Sequence, residues 1–219
     1  DYQAASRVDY FVANSQLVQK RIKKYYTRQS EVIYPPVEVD NFKVGEGAGE
    51  YFLIGGRVVT YKRFDLVVEV FRELGWPLKI FGDGIDLPRL KKMAKGAHNI
   101  EFLGQVSDSE KAELYQHCQA FLNPQEEDFG ITVVEAMACG RPVIAYGRGG
   151  ALETVVDGKT GVFFQEQNKE SLIKALHDFK QLSFDTSVIR CQAEKFSRQN
   201  FEVQFRDFVE RALNDFRSR

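Results

Sequence analysis

Six short apolar runs separated by stretches of helical period constrain this chain more than any other feature. Residues 51–55, 78–81, 100–103, 120–123, 142–145 and 161–164 are each too short for a typical helix and mostly apolar. Strands buried on both faces look like this, and their alternation with helices implies a parallel sheet covered on both sides. The expected fold class is α/β, a parallel sheet with helices on both faces. Between the first two runs, Phe64, Val67, Val68, Phe71 and Leu74 recur at helical spacing, and Gly75 with Pro77 supplies the stop. Ser107 and Glu110 form a capping box ahead of a helix carrying Leu114, and a helix over 133–139 ends at Gly140 and Pro142.

The two ends differ from this core. Residues 8–13 predict a strand, 16–26 a basic helix, and 32–36, with paired prolines, an extended linker. Residues 43–50 (KVGEGAGE) predict a flexible glycine-rich loop. After Leu182 a break at Ser183 leads to a last helix, whose stripe of Phe201, Phe205, Phe208, Val209, Ala212, Leu213 and Phe216 needs a partner surface.

Composition excludes several function classes. The 30 basic and 31 acidic side chains are mixed along the chain and leave a net charge of −1, so no global field attracts nucleic acid or an anionic membrane. Any anion site must be local. Cys118, Cys139 and Cys191 are far apart and form no CxxC pair, which argues against a zinc site or a disulfide framework and fits a reducing cytosol. Every apolar stretch breaks well short of the ~20 residues of a membrane span. The expectation is a soluble, cytoplasmic protein. Lys20, Arg21, Lys23 and Lys24 read as a solvated face, with peripheral membrane contact of a longer form left open. His98, His117 and His177 have no serine, cysteine or carboxylate partner in view and are assigned to structure.

The chemistry concentrates in residues 127–143, EDFGITVVEAMACGRPV, where two glutamates are separated by seven residues around a strand-to-helix turn. Gly130 at that turn lets a ligand approach the backbone, and the amides at the following helix start suit a phosphate. Glu127, just before the turn, is placed to hold hydroxyls of a bound sugar. Glu135, further along the helix, is placed to accept hydrogen bonds from a ribose. The alternative is two solvated surface glutamates, the usual fate of glutamate.

EDFGITVVEAMACGRPVIA resembles the signature of family 4 glycosyltransferases, retaining enzymes of the GT-B fold, and Glu127 and Glu135 match its E-x7-E pattern. GGRVVTYKRFDLVVEVF (55–71), KIFGDG (79–84), IEFLGQVSDSE (100–110) and GGALETVVDGKTGVFF (149–164) extend the resemblance in family order. It implies that Arg57 and Lys62 hold the donor diphosphate, the two cations taking the place of a metal ion, for which no DxD motif is present. With Glu127 these form the expected catalytic set. The implied donor-binding set is Gly55, Gly56, Gly82, Gly84, Gln105, Val106, Phe129, Gly130, Ile131, Thr132 and Glu135, with Gln105 and Val106 meeting the base largely through backbone. Gly149 and Gly150 line the same edge, and Glu153 reads equally as a helix-start charge or a ligand.

Enzymes of this kind have two Rossmann-like domains facing a cleft, and this chain resembles the second. Residues 1–36 resemble the end of the first domain and the linker. Residues 37–182 correspond to the nucleotide-sugar-binding domain, and 183–219 to C-terminal helices returning toward the first. The acceptor pocket is expected upstream of Asp1. The implied function is transfer of a hexose, with retention, from a nucleotide diphosphate sugar to a saccharide or lipid-linked acceptor, with no other cofactor. YPPVEVDNF and EEDFGITVVEAMACGRPVIAYGRGGALETV look most like bacterial mannosyltransferases of surface-polysaccharide assembly, which favours GDP-mannose and leaves UDP-hexoses open. Two other classes compete: a non-catalytic nucleotide-sugar-binding module, and a GT-B-fold UDP-GlcNAc epimerase, against which the E-x7-E signature argues.

Overall fold

The computed structural model describes residues 2–47 and 49–218. A short helix, α1 (Tyr2–Ala5), precedes a small parallel sheet of β1 (Val12–Ala13) and β2 (Glu31–Val32) joined through α2 (Gln16–Tyr26). The main sheet follows, from β3 (Tyr51–Gly55), β4 (Leu78–Phe81), β5 (Ile100–Gly104), β6 (Cys118–Asn123), β7 (Val143–Tyr146) and β8 (Gly161–Phe164). The intervening helices are α3 (Phe64–Leu74), α4 (Leu87–Met93), α5 (Asp108–His117), α6 (Ile131–Ala138) and α7 (Ala151–Thr154). The chain closes with α8 (Lys169–Lys180), α9 (Thr186–Glu194) and α10 (Arg198–Arg217).

All six strands are parallel, in the order β5-β4-β3-β6-β7-β8. The period of two along each strand sorts the core into two layers. Leu53, Phe121, Val143 and Ala145 face Tyr115, Val134, Met137 and Ile189, on the side of α5, α6 and α9. Phe52, Ile54, Ala120, Leu122 and Ile144 face Val67, Phe71, Leu90 and Leu176, on the side of α3, α4 and α8. Both faces are apolar because both are covered, so the strands stand out in the sequence as unbroken runs.

The strand order reverses direction between β3 and β6. Consequently the loops leaving the carboxyl ends of these two strands part to opposite sides and open a crevice, where ligands of open α/β sheets bind.

Several expectations need correction. The strand expected over 8–13 is reduced to Val12–Ala13, because the Arg28 guanidinium takes the carbonyls of Ala5, Val8 and Asp9 and removes them from ladder pairing. β7 starts at Val143 and not at Pro142, which has no N–H to give the ladder. The helix expected over 133–139 begins two residues earlier, at Ile131. In the glycine-rich loop, Ala48 lies outside the described residues. The flanks are pinned: Arg141, 4% exposed, donates to the carbonyls of Glu46, Gly47 and Gln116. Glycine serves close packing there, since a Cβ on Gly49 would lie 2.1 Å from the Cys118 carbonyl carbon.

Two helices follow Leu182. α9 is capped by the Asp185 carboxylate and buries Ile189 and Ala193 against the α6 side of the core. No residue of α10 is buried, and Val203, Phe205, Leu213 and Phe216 are 41–60% exposed.

Candidate functional site

The loop after β3 turns at Gly55 and Gly56 and brings Lys62 to the crevice, while Arg57, on the same loop, is not among the residues that line it; the loop after β6 carries Glu126, Glu127 and Asp128. Because β3 and β6 are neighbours, Lys62 and Glu127 meet across the opening. Lys62 Nζ lies 2.6 Å from Glu127 Oε1, with both side chains less than one-fifth exposed. Gly56 is required there by its backbone, at φ 124°, which residues with a side chain rarely adopt. The cleft has a volume of about 460 Å³ and is walled by Asn14, Pro35, Tyr61, Glu127 and the first turn of α6. Gly130, at φ 90°, turns the chain into α6, so that the amides of Ile131 and Thr132 face the cleft without intrahelical acceptors.

The Glu127 loop is held from behind. Gly150 donates its N–H to the Glu127 carbonyl at 2.8 Å. A Cβ on Gly149 would come within 2.4 Å of the same oxygen.

Glu135 is 9% exposed and sits on the same helix, one turn further in. Its Oε1 accepts from Lys111 Nζ and its Oε2 from the Tyr115 hydroxyl, each at 3.0 Å. Lys111 also reaches Asp108 at 3.3 Å. Burial works against the Lys111 charge, yet Glu135 and Asp108 together outweigh it and hold its pKa above the ordinary lysine value. The Tyr115 hydroxyl is pushed well up by burial and by the neighbouring Glu135 carboxylate, so it stays a donor. A carboxylate offers about four lone-pair sites, which leaves Glu135 capacity for further hydroxyl donors. It borders a second, smaller cleft of about 190 Å³, shared with Pro36, Phe42, Asp108, Lys111 and Ile131. Ile131 lies on the rim of both clefts, so the two are adjacent along α6.

The other residues singled out in the sequence divide into groups. Gly55, Gly56, Gly82 and Gly84 interlock at the sheet edge: a Cβ on Gly82, at φ 106°, would lie 1.9 Å from the Gly56 carbonyl oxygen, and one on Gly84 2.1 Å from that of Val58. In this floor Gly55 packs on the Phe81 ring, which a Cβ would approach to 2.1 Å. Phe129 supplies backbone to the cleft, while its ring is buried against Tyr34 and Phe196. Gln105 and Val106 line a separate groove of about 520 Å³ beside α5, with Tyr51, Lys79 and Glu110. Arg57 is exposed and has no hydrogen bond or ion pair among the described residues. Glu153 is engaged by the protein itself, accepting the amides of Gln16 and Leu17 at the start of α2. His98, His117 and His177 are exposed, and His177 packs edge-on against Trp76. No group of three or more His, Cys, Asp or Glu among the described residues is arranged to hold a metal ion, and no helix is long and apolar enough to cross a membrane.

Lys111 and Tyr115 were missed in the sequence. Their signal was present: they stand four residues apart, on one face of the helix whose capping box is legible.

Comparison with known proteins gives the family and the fold. The family model described as glycosyl transferases group 1 matches residues 38–195. An uncharacterized glycosyltransferase of Methanocaldococcus jannaschii is 28% identical over 172 residues, covering 77% of this chain and 49% of the relative. The alpha-1,3/1,6-mannosyltransferase ALG2 of Dictyostelium discoideum is 47% identical over 79 residues, covering 34% of this chain and 19% of that protein. Among solved structures, Anabaena HepE in complex with UDP and glucose superposes with a TM-score of 0.79 at 20% identity, over 95% of this chain and 65% of that one. The fold is that of the GT-B glycosyltransferases. The chain spans 49% of the M. jannaschii relative's length.

Proposed function

The chain belongs to glycosyl transferases group 1, and on that premise we propose that it is the donor-binding part of a retaining hexosyltransferase using a nucleotide diphosphate sugar, with GDP-mannose the favoured donor. The observation that carries the reading is the Lys62–Glu127 pair, set in a cleft against the first turn of α6, where the strand order reverses. A diphosphate seated there meets the Lys62 ammonium and the positive end of α6, with the Arg57 guanidinium brought to it from the loop after β3. These groups stabilise the negative charge that develops on the leaving diphosphate as its bond to the sugar breaks. Glu127 then accepts hydroxyls of the hexose and fixes its orientation over the diphosphate. Glu135, with its remaining lone pairs at the adjoining cleft, accepts the ribose hydroxyls. No side chain of the cleft is assigned as a nucleophile.

One feature supports guanine over uracil. Asp108 is 99% exposed at the rim of the Glu135 cleft, where a carboxylate can accept the paired N–H donors on the Watson–Crick edge of guanine, which uracil lacks. The similarity to the alpha-1,3/1,6-mannosyltransferase, over 34% of this chain, supports mannose as the sugar. The acceptor, a saccharide or a lipid-linked one, is assigned to sequence outside this chain.

Calorimetric titration with GDP, UDP, GDP-mannose and UDP-glucose tests the donor. Preferential binding of the guanine pair, lost in Glu135→Ala, is the expected result; preference for the uracil pair replaces GDP-mannose with a UDP-hexose. Product analysis with the full-length chain tests the reaction, because only a transferase makes a new glycoside, only an epimerase inverts the free sugar, and a binding module releases nothing. Unchanged turnover in Arg57→Ala and Lys62→Ala would refute the roles of these cations.

A further inference from the structure

Glu127 lies on an irregular loop, so whatever holds that loop sets where its carboxylate points. Behind it, Gly150 donates to the Glu127 carbonyl. Three further contacts come from outside the main sheet, and two of them come from α2. One turn into that helix, Arg21 reaches both residues flanking Glu127, with Nη1 2.5 Å from Asp128 Oδ1 and Nη2 3.8 Å from Glu126 Oε1. At its start, the amides of Gln16 and Leu17 donate at 2.8 and 3.1 Å to the two carboxylate oxygens of Glu153. Glu153 stands on α7, directly after the Gly149–Gly150 turn that abuts Glu127. The Ser15 hydroxyl takes the next amide, that of Val18, so Glu153 completes the cap of an 11-residue helix whose N-terminal dipole favours a carboxylate. The third contact is Tyr34, after β2, whose ring lies 5.7 Å from that of Phe129, the residue between Asp128 and Gly130.

We infer that α2 is a splint for the Glu127 loop, in which Arg21 and Glu153 are positioning residues that set the orientation of the donor sugar without touching it; this rests on the reading that Glu127 holds that sugar. Two anchors more than a helical turn apart fix the loop against both translation and rotation relative to α2. The exposed Arg21–Asp128 pair adds little to stability. Its consequence is geometric, because a displacement of about 1 Å at an orienting group costs roughly 100-fold in rate. The nucleotide end of the donor, at Glu135 and Lys111, is held by α5 and α6 and is independent of α2.

The test combines nucleotide binding with transfer by the full-length chain, using GDP, UDP, GDP-mannose and UDP-glucose. Arg21→Met and Glu153→Ala are expected to lower kcat by roughly 10-fold or more while the Kd for the free nucleoside diphosphate stays within about twofold. Arg21→Lys should recover part of the loss, as should the exchanged pair Arg21→Asp with Asp128→Arg. If Glu153→Ala fails to fold, Arg21→Met decides alone, since this half-exposed side chain is removable without opening the core. Wild-type kcat in folded Arg21→Met overturns the inference. So does an equal loss of nucleoside diphosphate affinity, which would mark a general structural role. Wild-type protein that binds none of the four compounds overturns the functional reading and the inference with it.

Discussion

Replacing Glu135 by alanine separates what this residue does for the fold from what it does for a ligand. The substitution leaves the wholly buried Tyr115 hydroxyl without an acceptor, a penalty of about 1–3 kcal/mol. Lys111 loses its nearer carboxylate but keeps Asp108 at 3.3 Å and a side chain 21% exposed. Its share is therefore about 1 kcal/mol and not the 3–5 kcal/mol of a fully enclosed orphaned partner. The sum is about 2–4 kcal/mol, which for a domain of this size lowers Tm by roughly 4–16 °C. Glu135→Gln keeps an oxygen for one of the two donors and should cost about 1 kcal/mol. Its effect on ligand is expected to be larger, because exchanging a charged acceptor of ribose hydroxyls for a neutral one lowers nucleoside diphosphate affinity roughly 10-fold. Urea unfolding and calorimetry on the two variants measure both quantities. A loss below about 0.5 kcal/mol in Glu135→Ala would refute the structural argument. Wild-type nucleotide affinity in Glu135→Gln would refute the ribose assignment.

Other outcomes follow from the same geometry. Glu110 and Asp185 cap α5 and α9, and hydrogen bonds from Ser107 and from Ser187 with Val188 hold their carboxyls below the ordinary values of 4.5 and 3.8. A folded pKa below the unfolded one means the unfolded chain takes up more protons in acid, so this stability is present at neutral pH and is lost as pH falls through about 5 and below. Glu110→Gln should flatten that part of the denaturation curve measured against pH. Burial pushes the Cys139 thiol up to about 12 and Cys118 higher still, whereas Cys191 is exposed. A disulfide reagent at pH 8 should therefore titrate one thiol in the folded chain and all three in denaturant; rapid reaction of a second would contradict the packing around α6. Gly82→Ala combines a disallowed φ with backbone overlap and should cost about 3 kcal/mol or more, against about 1 kcal/mol for Gly96→Ala, where φ is also positive but the space is open. Equal urea midpoints for the two would show that the glycine floor is not tightly packed.

How far the sequence led depends on where the information is stored. The six main strands are legible because both their faces are buried, and three of them, β3, β4 and β8, have the bounds that the apolar runs predict. Ser107 and Glu110 form the expected capping box for the same reason of locality: the motif lies within one helical turn. Where long-range contacts compete, the pattern misleads. Val8 to Phe11 read as strand until Arg28, some 20 residues away, captures the carbonyls. The helix after Ser183 is two helices, because Asp185 starts one of them and the Phe196–Ser197 backbone pairs with Val37 before the next begins. Lys62 and Glu127 are 65 positions apart, and their contact depends on β3 lying next to β6, a strand order that the pattern of runs does not encode. Likewise, the engagement of Glu135 by Lys111 and Tyr115 depends on how α5 lies against α6. Buried glutamate is uncommon enough that composition alone argued for the surface.

The Lys62–Glu127 pair also says something about the cleft when nothing is in it. Each charge is neutralised by the other at 2.6 Å, so in the empty site a passing small anion finds the Lys62 ammonium already paired. In the proposed reaction the diphosphate draws Lys62 away from Glu127, and that exchange frees Oε1 to join Oε2 in receiving the sugar. Recognition of the two ends of the donor is thereby coupled: a free hexose meets a carboxylate with one oxygen held by Lys62, and only a sugar that arrives with its diphosphate frees that oxygen as well.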